Sequence, residues 1–170
     1  MDPEKTQDDA TSAGSFTIYT PHSGSTTSDQ TWEYSYAVPW PGGVYRIINK
    51  TSDKAITLAN GHLCLQETSD PRDEYSHWLC VEANGYFGFF NQKANKYIGH
   101  DGEWGMRAWA ERFLDWEYFT PRRHPAGGYQ LLSPFYHHTL RELAVANGGK
   151  KLIRRDHGIT LWEFVKVSEY

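Results

Sequence analysis

The sequence of 170 residues is 39% hydrophobic and 22% charged, which suits one domain with a buried core. Its net charge is −4 and its main basic run lies at residues 150–155. Nucleic acid is therefore not expected as a partner, because phosphate binding requires a clustered positive field. No run approaches the roughly 18 apolar residues that span a bilayer, so we expect no membrane partner either.

The first 41 residues differ in composition from the rest. Residues 1–30 are polar and lack the basic head and apolar run of a secretory signal, so we expect a flexible arm and a cytoplasmic protein. Residues 31–43, TWEYSYAVPWPGG, carry two Trp and two Tyr. We expect this aromatic segment to pack on the domain at residues 42–170 or on a partner, and a homodimer formed through the arm is an alternative.

Three segments that start with glycine and an aromatic residue recur along the rest of the chain. They are GVYRIIN, GYFGFFN and GYQLLS, and their first glycines are 42 and then 43 residues apart. A tryptophan in an apolar run follows each of them, at Trp78, Trp116 and Trp162. Even spacing of one pattern indicates a repeat architecture.

Each repeat contains two further short apolar segments around a turn signal. In chain order the pairs are AITLA and HLCLQ around Asn60–Gly61, KYIGH and GMRAWA around Asp101–Gly102, and RELAVA and KKLIRR around residues 147–149. Asn-Gly and Asp-Gly between alternating apolar residues indicate hairpins. No sustained helical period is present, so the pattern predicts an all-β chain of about twelve strands with short helices at most.

Three units of about 42 residues with four strands each resemble a β-trefoil, the fold of ricin-B-type lectins and fascin-like proteins. The resemblance implies a single β-trefoil at residues 42–170 with an N-terminal extension. It also implies that Trp78, Trp116 and Trp162 point into a shared core. The two cysteines, Cys64 and Cys80, lie in apolar segments and are expected to be reduced core thiols.

Ricin-B-type lectins carry a Gln-any-Trp motif in the last strand of each unit. Here the residues two positions before the three tryptophans are Ser76, Leu114 and Thr160. The glutamine is therefore missing from all three units, which argues against multivalent galactose binding.

These lectins also hold sugar with an aspartate near the end of the second strand. The corresponding residues are Asn60, Asp101 and Asn147, so only the second unit keeps the acid. The segment NKYIGHDG around that acid is more similar to the fascin-like branch.

The second unit also holds the richest set of candidate ligand-binding side chains: His100, Asp101, Trp104, Arg107 and Trp109. A carboxylate accepts hydroxyl hydrogen bonds, an indole face stacks on the C–H surface of a sugar, and arginine adds directed donors. Arg107 and Trp109 are two residues apart, so they share one face of a strand. The alternative is structural: Asp101 forms a type I′ turn with Gly102, and Trp109 packs under the arm.

A second group of polar residues follows in the third unit. If the protein is an enzyme, the candidate acid–base residues are His137, His138, Arg141, Glu142, Asp156 and His157. Adjacent histidines on a strand point to opposite faces and no zinc spacing is present, so we expect no metal. No cofactor motif is present either, and solvated loop residues in ion pairs are the structural alternative.

These observations lead to a non-catalytic, lectin-like binding protein for a glycan or glycoconjugate, or another small-molecule ligand. One alternative is a small cyclase-type or isomerase-type enzyme with an aromatic pocket, where ring faces stabilise developing cations. Another is a protein-interaction trefoil or protease inhibitor that acts through the loops at residues 67–76 and 120–128. The sequence does not decide between these classes, since one fold hosts many functions.

Overall fold

A computed structural model describes residues 36–67, 70–136 and 138–167. All of these residues belong to one compact unit. Most of the arm therefore lies outside the described residues, as does His137.

The described residues form thirteen strands, the first of which is β1 (Tyr36–Ala37). The first four-strand unit comprises β2 (Val44–Asn49), β3 (Ala55–Ala59), β4 (His62–Gln66) and β5 (Trp78–Ala83). The second comprises β6 (Tyr86–Asn91), β7 (Lys96–His100), β8 (Met106–Ala110) and β9 (Thr120–Arg123). The third comprises β10 (Tyr129–Phe135), β11 (Thr139–Val145), β12 (Leu152–Arg155) and β13 (Trp162–Lys166). Two 3₁₀ turns, Glu74–Ser76 and Asp115–Glu117, are the only helical elements among these residues, in agreement with the prediction.

The first and last strands of each unit form a closed barrel of six strands. Antiparallel pairs join β2 to β5, β5 to β6, β9 to β10, β10 to β13 and β13 to β2. The ring closes between β6 and β9, where Phe87 and Phe119 exchange backbone hydrogen bonds of 2.9 and 2.8 Å. Because the ring is closed, each of these six strands has a paired neighbour on both sides.

The middle strands of each unit form three hairpins, β3–β4, β7–β8 and β11–β12. The hairpins contact one another: Gly105 forms a bridge with Ile153, and the Leu65 N–H donates to the Lys150 carbonyl at 2.9 Å. Their apolar side chains, including Leu65, Ile98 and Leu143, belong to the same buried cluster as those of the barrel strands. The hairpins therefore cover the barrel core.

The first hairpin turn has the predicted geometry and the second does not. Asn60 and Gly61 have φ values of 51° and 77°, as a type I′ turn requires. The connection between β7 and β8 instead spans five residues, and Gly102 has a φ of 93° while Asp101 is not among the residues with positive φ. The expected type I′ turn at Asp101–Gly102 is therefore wrong.

Two of the three tryptophans expected in the core are there. Trp78 and Trp162 are fully buried, and their indole N–H groups donate to the carbonyls of Ile56 at 2.9 Å and Leu143 at 3.1 Å. Each indole thus fills the core and has its one polar group satisfied.

The assignment of Trp116 to the core is wrong, because 42% of this residue is exposed. Trp78 and Trp162 pair with Tyr45 and Tyr129, and the residue that pairs with Phe87 is Phe119. Phe119 is 1% exposed and takes the core position of the second unit. Both aromatic residues lie in the segment DWEYF, and spacing alone selected the one that belongs to the surface.

The described end of the arm packs on the barrel. Tyr36 and Ala37 pair with Val165 and Phe164 of β13. The Trp40 indole lies edge-on to the Phe87 ring, with centroids 6.3 Å apart. Trp40 nevertheless remains 67% exposed, so this contact covers little of the indole.

Both cysteines are free thiols, as predicted. Cys80 is buried, and its burial, with a smaller contribution from Glu82, raises the pKa of its thiol to about 12. Burial also raises the pKa of the Cys64 thiol. Among the described residues, no helix has the length and apolar character needed to cross a bilayer.

Candidate functional site

His100 ends β7 and is almost completely buried, although the sequence predicts it as a ligand-contacting residue. Its Nδ1 accepts a hydrogen bond from the Gly102 N–H at 3.0 Å, and its ring stacks on Trp116 with centroids 5.1 Å apart. Burial is the main reason why its pKa falls to about 4, and the positive charge of Arg154 adds to it. The imidazole is therefore neutral at physiological pH and helps to hold Trp116 in place.

Asp101 organises the loop between β7 and β8. Its Oδ1 accepts hydrogen bonds from the N–H groups of Glu103 at 2.9 Å and Gly105 at 3.0 Å. The backbone of Asp101 also donates to the Gly105 carbonyl at 3.1 Å. These contacts give the carboxylate a structural role in the loop, a pattern typical of Asx turns.

The loop role of Asp101 predicts different effects for two substitutions. Asp101→Asn keeps an acceptor oxygen and should change the free energy of unfolding by less than about 0.5 kcal/mol, whereas Asp101→Ala should cost about 1 kcal/mol or more. Urea denaturation of both variants measures this difference. Equal destabilisation by the two variants would contradict the loop role.

Arg107 brings two indoles together on the surface of the second unit. Its guanidinium lies 4.2 Å from the centroid of the Trp109 ring and 5.7 Å from that of Trp116. Trp109 is 65% exposed. The two indoles line a groove of about 570 Å³, which we call the indole groove. Its lining residues are Trp109, Ala110, Glu111, Arg112, Leu114, Asp115, Trp116 and Glu117.

Glu117 anchors one wall of the indole groove. It is 6% exposed, and its Oε2 accepts a hydrogen bond from the Leu114 N–H at 3.2 Å. Burial raises the pKa of this carboxyl group. An added Cβ on Gly99 would lie 3.0 Å from the Trp116 carbonyl and 2.7 Å from Oε1 of Glu117, so glycine permits β7 to approach the Asp115–Glu117 turn.

Trp104 lies apart from the other predicted ligand residues and faces the third unit. The Arg141 guanidinium is 3.8 Å from the Trp104 ring centroid and 3.3 Å from that of Phe135. The Arg141 Nε donates to Oδ1 of Asp156 at 2.8 Å. Trp104 is still 47% exposed, so one part of its indole remains accessible.

A second cavity of about 470 Å³ lies between the second and third units and shares Trp116 with the indole groove. We call it the arginine cleft, and its lining residues are Tyr86, His100, Gly102, Asp115, Trp116, Tyr118, Pro134, Phe135, Tyr136 and Arg154. Arg154 is 1% exposed, and its guanidinium donates to the Glu103 carbonyl through Nε and Nη2. Burial lowers the pKa of this guanidinium, and Arg141 lowers it further.

Three of the six residues predicted for an enzyme take part in structural contacts. Arg141 and Asp156 form an ion pair, and a carboxylate oxygen of Glu142 accepts the Thr160 N–H. His138 and His157 are exposed. Within the described ranges no three His, Cys, Asp or Glu side chains come together as a metal site would require.

Among the lining residues that are not predicted from the sequence as site residues, Trp116 and Arg154 matter most. Spacing assigns Trp116 to the core, and Arg154 is considered only as part of the basic run at residues 150–155. The signal for Arg154 is alternation: it is buried on β12 between the half-buried Ile153 and Arg155. A basic residue at an inward position of a short strand could have been singled out on that ground.

Comparison with solved structures identifies the architecture. The designed three-fold symmetric protein ThreeFoil matches with a TM-score of 0.61 and 18% identity, over 74% of this chain and 99% of that chain. SeviL bound to asialo-GM1 saccharide matches with a TM-score of 0.58 and 19% identity, over 75% and 98% of the two chains. The fold is a β-trefoil. No protein-family model and no curated protein matches the sequence.

The same β-trefoil architecture forms part of a longer protein. The Polyporus squamosus lectin bound to Neu5Aca2-6Galb1-4GlcNAc matches with a TM-score of 0.61 and 14% identity, over 76% of this chain and 50% of that chain. Structural matches at identities this low establish the fold alone, so the function has to be inferred from the residues of the site.

The barrel pairing corrects the alignment of the three trefoil units. Because Phe119 replaces the core tryptophan, the residue two positions before it is Glu117, and Leu114 is not the counterpart of Ser76 and Thr160. Three residues before the core aromatic, the units carry Tyr75, Trp116 and Ile159, all of them exposed. The second unit therefore presents an indole where the first presents a phenol and the third an aliphatic chain.

Proposed function

We propose that this β-trefoil is a non-catalytic, lectin-like protein that binds a glycan through the indole groove. The observation that carries the proposal is the pair of exposed indoles, Trp109 and Trp116, both in contact with Arg107. The resemblance of the sequence to ricin-B-type and fascin-like proteins supports it, as do the saccharides in two solved structures of the same fold.

The groove combines the groups that sugar recognition requires. The faces of Trp109 and Trp116 offer apolar surface for the C–H groups of a pyranose ring. Carboxylates of Glu111 and Asp115 accept hydrogen bonds from hydroxyl groups, and Arg112 donates them. Because Arg107 holds the two indoles, less side-chain entropy is lost when a ligand binds.

The differences between the units favour a single glycan site. At the position of Trp116, the first unit has Tyr75 and the third has Ile159. An aliphatic side chain lacks the flat π-face that stacks on a sugar, and the Tyr75 ring is smaller than an indole. We therefore expect one site per chain, in the second unit.

A glycan array probed with the purified protein tests the proposal. We expect selective binding, and Trp109→Ala or Trp116→Ala should lower the affinity for the retained glycan about tenfold or more, since each removes a stacking surface. Tyr75→Ala is the matched control, because Tyr75 takes the position of Trp116 in the first unit. A blank array from folded protein, or retention of binding in Trp109→Ala and Trp116→Ala, would overturn the proposal.

The predicted role of Trp104 is tested on the same array. Its stacking on Arg141 directs it towards the third unit, so Trp104→Ala separates a ligand contact from a structural stack. Loss of glycan binding in this variant would extend the site beyond the indole groove. The enzyme alternative, a protein partner, a homodimer through the arm and the cytoplasmic location stay predictions.

A further inference from the structure

Arg154 carries a buried charge that the described residues do not neutralise directly. The residue is 1% exposed, yet within the described ranges no carboxylate lies within ion-pair distance of its guanidinium. Its Nε and Nη2 share the Glu103 carbonyl, and its buried Nη1 has no hydrogen-bond partner among the described residues. Buried charges in proteins are ordinarily paired, and Arg154 lines the arginine cleft, so an anion bound in that cleft would compensate its charge.

The neighbouring carboxylates act on Arg154 only from a distance: Asp101, Asp156 and Glu103 raise its pKa, but none of them forms an ion pair with it among the described residues. Asp156 is engaged by Arg141 at 2.8 Å. Asp101 uses Oδ1 to hold the loop between β7 and β8. Asp115 lines the arginine cleft but is exposed, so water screens its repulsion of an incoming anion.

The other walls of the arginine cleft suit a ring that bears the anionic group. Trp116 and Phe135 offer aromatic faces, and Tyr118 and Tyr136 offer hydroxyl groups. Asp115 adds an acceptor for sugar hydroxyls. A neutral sugar would use the rings and hydroxyls, and its own hydroxyl oxygens accept hydrogen bonds from a guanidinium, but it would leave the positive charge of Arg154 uncompensated.

We infer that the arginine cleft is the subsite for a carboxylate-bearing sugar residue of an acidic glycan, whose carboxylate pairs with the guanidinium of Arg154. The inference rests on the proposed function, and it adds the chemical class of the ligand and a second place of contact. Trp116 is shared by the indole groove and the arginine cleft, so one oligosaccharide can occupy both.

Three small probes test the charge preference: methyl glucuronide, methyl glucoside and benzoate. Binding to nitrogen-labelled protein is followed by NMR at the Trp116 indole and the Arg154 Nε–H. We expect the glucuronide to bind about tenfold or more tightly than the glucoside, because a hydrogen bond to a buried charge is worth at least that factor. Equal affinities, shifts confined to other residues, or binding of benzoate without the glucuronide would overturn the inference.

Variants locate the effect. Arg154→Met should abolish the preference for the glucuronide, and Arg122→Met is the matched control, since Arg122 is an exposed arginine of β9 outside the cleft. If Arg154→Met fails to fold, Tyr136→Ala replaces it, because Tyr136 is 73% exposed at the cleft and should weaken glucuronide binding severalfold. An unchanged preference in folded Arg154→Met, or an unchanged affinity for the glucuronide in Tyr136→Ala, would overturn the inference.

The two proposals fail in different ways. If glucuronide and glucoside bind equally and Trp109→Ala abolishes both, the cleft inference is wrong and the lectin-like function stands. If neither saccharide binds and the glycan array is blank, both are wrong.

Discussion

Phe119→Ala is expected to lower the free energy of unfolding by about 3–5 kcal/mol, the usual cost of deleting a core aromatic side chain. Phe119 is 1% exposed, pairs with Phe87 where the barrel closes, and lies 5.7 Å from the Phe89 ring centroid. Its removal leaves a cavity between barrel strands that are hydrogen-bonded to one another, so the site cannot collapse easily. Trp78→Ala, at the corresponding position of the first unit, should have a cost in the same range.

Trp116→Ala provides the comparison, only three residues away in the same segment. Because 42% of this residue is exposed, its replacement should lower the free energy of unfolding by no more than about 1–2 kcal/mol. This figure includes the loss of its stacking on His100. Urea or guanidinium denaturation of the two variants at one pH measures both costs. If Trp116→Ala destabilises as much as Phe119→Ala, the assignment of Phe119 to the core is contradicted.

Much of the fold could be predicted because its determinants are local. Gly61 and its neighbour Asn60 fix a hairpin at one place in the chain, and alternation of apolar residues in HLCLQ marks a strand with one buried face. These signals depend only on backbone preferences and on the two-residue period of a strand. The three four-strand units follow from them without knowledge of any long-range contact.

The error at Trp116 shows where local signals stop. Spacing places either Trp116 or Phe119 near the start of a strand, and the tryptophans at the matching places of the other two units favour Trp116. The pairing of Phe119 with Phe87 decides otherwise, and that contact spans 32 positions of the sequence. The Asp115–Glu117 turn then directs Trp116 outwards.

The candidate site was predictable in its location but not in its arrangement. The cluster around Asp101 and Arg107 was identified by residue type, and the structure places Arg107 and Trp109 in contact. The part played by Trp116 depends on the turn before β9, and that of Arg154 on the packing of β12 against the β7–β8 loop. Both contacts join distant segments, so composition and spacing do not predict them, although strand alternation marks Arg154 as an inward-facing residue.

His100 should make stability depend on pH between about 4 and 6.5. Its pKa in the folded protein is lowered to about 4, chiefly by burial, then by Arg154 and weakly by Arg107, while Asp101 and Asp115 act in the opposite direction. In the unfolded chain the imidazole returns to its ordinary pKa of about 6.5. The unfolded state then binds more protons in this window, so stability falls as the pH is lowered.

Between about pH 7 and about pH 5, this one group should lower the free energy of unfolding by about 2 kcal/mol. His100→Asn keeps an acceptor for the Gly102 N–H and removes the titration, so the variant should lose that part of the pH dependence. Burial raises the pKa of Glu117, and its opposite contribution is common to both proteins, so the difference between them isolates His100. Denaturation curves at the two pH values give the comparison, and an equal loss of stability in both proteins would contradict a buried, neutral His100 behind Trp116.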